Sequence, residues 1–331
     1  MYPVVFFVIA LILVGSLADK NFVGKIVLDS VGLGTAGLFP KTHDVVLSAL
    51  NLGVRMIDSA QASEWYDETG VGTAVSEFLS SNPNVKKEDI VLVTKVHPRY
   101  FQRIPMDRRL KQSKENFRRN DLDVVLLHAP RCWPGHCSPE EEAVSWETGW
   151  QNLVALKEEQ QIHSIGVSNF DLNLLKRVMN ELDGQVDIIQ NWMDPFHQDV
   201  EVRKFCTENG IQYMAYSSYG TQWNRYPNPV LTNPLLQGIA NKYKVSVPQV
   251  IMAWLAAERV IAIPRTANVE HMKDNFAVYL LQQQSTAKQC VDDNPEQQLC
   301  QSDSSSSGWE LSPEEVAAIR GLDGTLGQPW D

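Results

Sequence analysis

Clusters of basic residues are missing from this sequence. Lys and Arg number 29 against 40 Asp and Glu in 331 residues, which gives a formal net charge of −11 at pH 7. Nucleic acids and anionic membranes bind clustered positive charge, so the composition disfavours both as partners. The sequence also has no repeat of fixed period, the pattern typical of solenoids and propellers. With 44% hydrophobic residues it can bury one large core, and barrel folds reach this length as a single domain.

A hydrophobic run long enough to span a membrane is missing from the N-terminus. Residues 4–17 are almost wholly apolar, but a spanning helix needs roughly 20 such residues. Small residues at 16–18 suit a signal peptidase, although no Lys or Arg precedes the apolar stretch. We predict a signal peptide at 1–18 and a mature chain at 19–331 in the secretory pathway, in the ER lumen or outside the cell, without membrane attachment. An uncleaved N-terminal anchor is the alternative. N-glycosylation gives no independent sign of secretion, because the chain has no Asn-x-Ser/Thr sequon.

Cysteine is scarce, with five in the chain. Four form two close pairs in loop-like sequence, Cys132/Cys137 and Cys290/Cys300, while Cys206 stands in helix-like sequence and is expected to be a buried thiol. Disulfides suit a secreted protein, and closing a loop of about ten residues contributes on the order of 2–3 kcal/mol. A metal site at the first pair is the alternative, but no fourth ligand is evident, so we predict no metal.

Short apolar runs alternate with longer segments of helical spacing. In one such segment Trp150, Leu153, Val154 and Leu156 are the apolar positions. Continuous β-branched runs between helices are typical of a parallel sheet covered on both faces. Eight such units fit a closed barrel, so we predict an α/β fold, a single (β/α)8 TIM barrel. The runs are residues 30–35, 54–58, 90–95, 123–128, 164–168, 187–190, 212–216 and 260–263.

An open, doubly wound sheet is the alternative fold. Residues 32–37 match G-x-G-x-x-G, and Asp58 ends the next run about 20 residues later. In a dinucleotide-binding fold of that kind the helix opens within the glycine turn. Here Phe39 and Pro40 intervene, and the helical pattern begins only near Thr42.

Residues 282–308 interrupt the alternation with a polar, low-complexity stretch that encloses Cys290 and Cys300. We predict an inserted loop tied by the second disulfide. Helical sequence resumes at 311–319, where Ser312 and Pro313 predict an N-cap followed by proline in the first turn.

Ionisable side chains close three successive predicted strands: Asp58, Lys95 and His128, with Tyr66 just after the first of them. In a barrel these ends meet at one mouth, where active sites form. The set suits carbonyl reduction, which needs a proton donor for the developing alkoxide. A tyrosine can donate the proton if a nearby ammonium lowers its pKa, which is ordinarily near 10. A carboxylate would keep that ammonium charged, and a neutral histidine could polarise the carbonyl.

Six motifs occur in a defined order: residues 50–58, 94–95, 127–130, 165–170, 215–217 and 263–275. Together they resemble the aldo-keto reductase superfamily over about residues 28–281, and the tail matches again at 311–323. The resemblance implies an NADPH-dependent reductase. It makes Tyr66 the proton donor, tuned by Lys95 and Asp58, and makes His128 the residue that orients the carbonyl.

The resemblance also implies a nucleotide site. Arg265 stands where lysine is more usual and His271 where arginine is frequent. A guanidinium suits a 2′-phosphate, whereas histidine is mostly neutral at pH 7, so we expect NADPH, with NADH possible but weaker. The implied cofactor-binding residues are Gly34, Thr35, Asp58, Ser168, Asn169, Gln190, Tyr216, Ser217, Arg265, Thr266, His271 and Asn275.

The sequence departs from the family pattern in two places. The tyrosine usually follows the aspartate by five residues, but position 63 is serine; counting back from later motif residues points to Trp65, one before Tyr66. Bulky pocket residues are also missing at Ala36 and Ala129, so the pocket is either wider or filled by Trp133, Trp223 or His97.

The sequence therefore predicts a reductase of an aldehyde or ketone, with a small-molecule carbonyl as its partner and a monomeric state. Two alternatives stay open. One is a non-catalytic, sensor-like barrel that binds NADP(H); the other is a redox-neutral isomerase that uses bound cofactor.

Overall fold

The computed structural model describes residue 28 and residues 31–182, 184–277 and 309–327. The predicted signal peptide, the Cys290/Cys300 pair and the 282–308 insert lie outside these residues.

Eight strands form one sheet, with each strand pairing in parallel with the next along the chain. Every predicted run overlaps one of these strands, so the predicted fold is confirmed. The strands are β1 Leu33–Gly34, β2 Met56–Asp58, β3 Val91–Val96, β4 Leu122–Leu127, β5 Ile162–Ser168, β6 Ile188–Trp192, β7 Gln212–Tyr216 and β8 Ile261–Ala262.

The sheet closes on itself between its first and last strands. Val31 forms a parallel bridge with Ala262, and the amide of Gly32 donates a 2.8 Å hydrogen bond to the Ala262 carbonyl. Farther along, the Gly34 amide reaches the Pro264 carbonyl at 3.1 Å. An open, doubly wound sheet is therefore wrong for this chain, since its edge strands would stay unpaired.

Apolar side chains fill both the barrel and the layer between strands and helices. Residues of β4 show the alternation: Val124 and Leu126 belong to the inner cluster, whereas Val125 and Leu127 pack in the outer core. The inner cluster consists of Leu28, Met56, Val93, Val124, Leu126, Ile188, Met214, Ile261 and Ile263.

Helices cover the outside of the barrel. No helix among the described residues is long and apolar enough to cross a membrane. The helices are α1 Thr42–Asn51, α2 Glu68–Ser81, α3 Arg103–Phe117, α4 Pro139–Glu142, α5 Trp146–Glu159, α6 Leu172–Glu181, α7 Val200–Asn209, α8 Pro234–Tyr243, α9 Val247–Ala257, α10 at residues 269–277 and α11 Pro313–Arg320.

Helix α5 shows how far helical spacing predicts burial. Trp150, Leu153 and Leu156 are fully buried, but Val154 is 44% exposed. Val154 follows Leu153 by one position, about 100° around the helix, and lies outside the buried face.

Helix α11 begins as predicted. Ser312 Oγ accepts from the amide of Glu315 at 3.2 Å, the Glu315 carboxylate accepts from the amide of Ser312 at 2.8 Å, and Pro313 occupies the first turn. This reciprocal arrangement satisfies two amides that a helix start otherwise leaves unpaired.

Candidate active site

Three ionisable side chains lie at the carboxyl ends of consecutive strands. Asp58 is the last residue of β2, Lys95 lies near the end of β3, and His128 directly follows β4. Asp58 is 3% exposed and Lys95 1%. The predicted residues therefore meet at one mouth of the barrel.

Asp58 and Lys95 form a buried ion pair. Lys95 Nζ lies 2.7 Å and 2.8 Å from the two carboxylate oxygens of Asp58, and 2.8 Å from the carbonyl oxygen of Ser59. Burial lowers the pKa of Lys95, and the charge of Asp58 opposes that change. Gln190 donates a further 2.8 Å hydrogen bond to Asp58 Oδ1. The carboxylate is thus held by an ammonium on one side and an amide on the other.

Tyr66 lies beside this pair. Lys95 Nζ is 5.2 Å from the centroid of its ring, and the ring meets that of His128 edge-on at 5.9 Å. The neighbouring Trp65, to which the family spacing points, is 55% exposed. The loop therefore turns Tyr66 inward and Trp65 outward.

The expected lowering of the Tyr66 pKa by Lys95 is not what the structure gives. Burial raises the pKa of Tyr66, and the negative charge of Asp58 adds to that effect. No described residue makes a hydrogen bond to the Tyr66 hydroxyl, and Lys95 directs its three hydrogen bonds to Asp58 and Ser59. In this arrangement the phenol stays protonated and lies next to an ammonium whose charge is balanced by Asp58.

His128 is a neutral ring at physiological pH. Burial lowers its pKa well below the usual value, and the positive charge of Lys95 acts in the same direction. Its Nδ1 is buried and has no hydrogen-bond partner among the described residues. Its backbone carbonyl accepts a 2.7 Å hydrogen bond from Asn169 Nδ2. A neutral imidazole here can donate to an oxygen without placing a second cation beside Lys95.

Asn169 links His128, which follows β4, to Tyr216 at the end of β7. With φ of +61°, it adopts the left-handed conformation that asparagine tolerates better than most residues. Its Nδ2 is 3.1 Å from Ser168 Oγ, and its Oδ1 accepts a 2.6 Å hydrogen bond from the Tyr216 hydroxyl. Burial raises the pKa of Tyr216 to about 12, so the hydroxyl stays protonated as this donor. Next to it, Ser217 accepts a 3.1 Å hydrogen bond from Gln222.

A second group of predicted residues lies at the seam between β1 and β8. Thr35 is fully buried, and its hydroxyl donates to the Asp58 carbonyl at 2.8 Å. A Cβ atom on Gly34 would lie 2.9 Å from the carbonyl oxygen of Ile263, so this close approach requires glycine. The exposed guanidinium of Arg265 donates to the Ala36 carbonyl at 2.8 Å.

The remaining predicted residues lie just before α10 or within it. Thr266 Oγ1 accepts from the amide of Asn268 at 3.0 Å, and the His271 side chain is exposed. Asn275 is 3% exposed, and its Oδ1 accepts a 2.8 Å hydrogen bond from Tyr219. No group of three His, Cys, Asp or Glu side chains within the described residues is placed to hold a metal ion.

The model of the aldo/keto reductase family matches residues 30–290. This chain belongs to the aldo-keto reductase family. It is 29% identical over 270 residues to the glycerol 2-dehydrogenase (NADP(+)) of Hypocrea jecorina, a match covering 76% of this chain and 84% of that protein. It is also 29% identical to methylglyoxal reductase DkgB of Escherichia coli O157:H7, over 80% of this chain and 92% of the relative. In fold it is similar to a Bombyx mori aldo-keto reductase solved in complex with NADP, with TM-score 0.73, 24% identity and 91% of each chain covered.

Aromatic residues occupy this aldo-keto reductase's mouth beside His128. Trp133 lies with its ring 5.0 Å from that of His128 and 5.4 Å from that of His97. Trp223, the third residue considered as pocket filling, is 1% exposed and donates to Asp194 at 2.8 Å, so it belongs to the core. The mouth next to Ala129 is therefore lined by Trp133 and His97.

Trp133 lies in a short loop, residues 132–137, that a disulfide closes. The structure joins Cys132 to Cys137, with Cα atoms 6.1 Å apart, while Cys206 is a buried free thiol.

Sequence reasoning missed two contributors to the site. One is the Ser59 carbonyl, which a sequence cannot reveal because every residue has such an acceptor. The other is Arg99, which donates to His97 Nδ1 and to Glu64. Its spacing of two residues after His97 was the only available signal.

Proposed function

We propose that this protein is an NADP(H)-dependent reductase of small aldehydes or ketones. The observation that carries the proposal is the cluster of Tyr66, Lys95, Asp58 and neutral His128 at the barrel mouth. These are a proton donor, a cation with its counter-ion, and a hydrogen-bond donor for a carbonyl oxygen, which together suit the reduction of a carbonyl.

The residues present fit a nicotinamide nucleotide. The side-chain amide of Asn169 is hydrogen-bonded to Tyr216 and that of Gln190 to Asp58, while Arg265 and His271 are exposed beyond β8. The reduced nicotinamide of NADPH would supply the hydride when bound and would leave as NADP+. Arg265 offers the planar donor set that matches a 2′-phosphate, so NADPH is the expected form and NADH binds more weakly.

The protein's own part of the reaction is to hold the carbonyl and supply the proton. Neutral His128 donates a hydrogen bond to the carbonyl oxygen and favours the build-up of negative charge there. Tyr66 gives its proton to that oxygen. Because its pKa is raised, the phenol is fully protonated at neutral pH. For this proton to leave, Lys95, whose charge Asp58 maintains, must turn a hydrogen bond toward the phenolate, since its present hydrogen bonds go to Asp58 and Ser59.

A non-catalytic nucleotide sensor is the second candidate, since Tyr66 makes no hydrogen bond to Lys95 among the described residues. Oxidation of NADPH, followed by its absorbance with a panel of small aldehydes and ketones, separates the two. A reductase consumes NADPH only when a carbonyl is present. A protein that binds NADPH by fluorescence titration but oxidises none of it with any carbonyl would be the sensor.

For location, we propose the secretory pathway, with residues 1–18 removed and Cys132–Cys137 and Cys290–Cys300 oxidised. The apolar leader and the short spacing of each pair support this. Mass spectrometry of the secreted protein, denatured and alkylated without reduction, is expected to give a mature N-terminus at Asp19 and a single alkylated cysteine, Cys206. Five alkylated cysteines, or an N-terminus still at Met1, would contradict it.

A further inference from the structure

His97 is a buried polar side chain at the mouth for which the reaction proposed above has no use. It follows β3, two residues after Lys95, and is 2% exposed. Its ring centroid lies 6.3 Å from that of His128, with the planes at 88°, and 5.4 Å from that of Trp133. It therefore shares the space in front of His128.

The hydrogen bonds of His97 determine which nitrogen carries its proton. Nδ1 accepts from the backbone amide of Arg99 and from its side-chain Nε, both at 3.2 Å. Burial, reinforced by the charge of Arg99, lowers the pKa of His97 to about 4. A neutral imidazole whose Nδ1 accepts must carry its hydrogen on Nε2. At neutral pH, Nδ1 of His97 is therefore an acceptor and Nε2 is a hydrogen-bond donor.

Arg99 holds this tautomer in place. Its guanidinium makes a 2.6 Å ion pair with Glu64, so its side chain is anchored on two sides. The pair also cancels the positive charge next to the pocket. His97 Nε2 makes no hydrogen bond to a described residue and, unlike Nδ1 of His128, it is not sealed from solvent, so a ligand oxygen can reach this donor.

We propose that His97 Nε2–H selects carbonyl substrates that carry a neutral oxygen, a hydroxyl or second carbonyl, on the carbon next to the reacting one. This rests on the reductase function proposed above. Two imidazoles 6.3 Å apart leave room for each to reach one of two oxygens on neighbouring carbons, since each N–H···O bond spans about 2.9 Å. The absence of net charge at Arg99 and Glu64 favours a neutral oxygen over a carboxylate.

The test compares two aldehydes of similar size, glycolaldehyde and propanal, which differ in a hydroxyl against a methyl. The ratio of their kcat/KM values is measured for wild type and for His97→Phe. The ratio is expected to fall about threefold to tenfold in the variant, the effect of losing one hydrogen bond, through a higher KM for glycolaldehyde alone. His97→Gln keeps an amide donor and is expected to restore part of the ratio, which also separates lost donation from faulty folding.

Trp133→Phe is the matched control on the same wall, and it is expected to change both aldehydes alike. The wild-type ratio is expected to stay constant from pH 5.5 to 8, since His97 does not titrate there. An unchanged ratio in His97→Phe, with propanal still reduced, would overturn this inference and leave the reductase function standing. No NADPH oxidation by wild type with either aldehyde would overturn the reductase function, and this inference with it.

Discussion

The indole of Trp133 lies 5.0 Å from the imidazole of His128, centroid to centroid, with the two planes at 74°. Trp133 follows Cys132 directly, and the bond from Cys132 to Cys137 closes the chain around it. The disulfide therefore limits how far this wall of the mouth can move away from His128.

Removing the Cys132–Cys137 disulfide is expected to weaken substrate binding. In the double variant Cys132→Ser/Cys137→Ser, the KM for a carbonyl should rise about threefold to tenfold, the effect of an aromatic contact of roughly 0.5–1.5 kcal/mol. NADPH affinity should not change, because none of the predicted nucleotide-binding residues lies in the segment 132–137. Steady-state kinetics and fluorescence titration measure the two quantities. Cys206→Ala, which removes a thiol remote from the mouth, is the control. A double variant with the KM of wild type would show that the disulfide-closed loop 132–137 does not shape the site.

Removing the Tyr66 hydroxyl is expected to stop the chemistry and spare the binding. Tyr66→Phe should lower kcat by about 10²- to 10⁴-fold, the usual contribution of a positioned proton donor. Its Kd for NADPH should stay within about twofold of wild type. Trp65→Phe changes the exposed neighbour and should leave kcat intact. If turnover survives in Tyr66→Phe and falls in Trp65→Phe, the donor is assigned to the wrong aromatic.

Arg265 is expected to distinguish the two nucleotides. Arg265→Ala should weaken NADPH binding about tenfold to hundredfold, the effect of losing a charged hydrogen-bond partner worth about 1.5–3 kcal/mol. NADH lacks the 2′-phosphate, so its Kd should barely move. Lys273→Ala, an exposed cation of α10 that pairs with Glu270, serves as the matched control. Equal losses for both nucleotides would remove Arg265 from the phosphate site.

Asp194 makes stability depend on pH. Burial raises its pKa to about 6 from an ordinary value of 3.8, so folding favours its protonated form. That contribution is complete below about pH 4 and is lost as pH rises through 6, which amounts to about 3 kcal/mol. Urea unfolding of wild type and Asp194→Asn between pH 4 and 8 isolates it. The stability of wild type relative to the variant should fall over this range, and a pH-independent difference would rule out the shift.

Much of this architecture was predictable from residues that act locally. Runs such as 123–128 predict strands because their β-branched and leucine side chains are buried on both faces, and Asp58, Lys95 and His128 were found because strand ends share a mouth. The exposure of Val154 was not predictable, because spacing does not tell which edge of a helical stripe is covered. The choice of Tyr66 over Trp65 depends on the course of one loop. The hydrogen bond of Gln190 to Asp58 joins residues 132 positions apart and exists only after the barrel closes.

The seam between β1 and β8 joins the start of the barrel to its end, so it can form only late in synthesis. Asp58, Lys95 and His128 belong to the first half of the chain, but Val31 pairs with Ala262 and the Ala36 carbonyl receives its hydrogen bond from Arg265. During synthesis the early strands emerge without the partner that completes their edge. The seam beside the mouth is therefore completed only after residue 265 has left the ribosome, so we expect an N-terminal fragment released earlier to lack it.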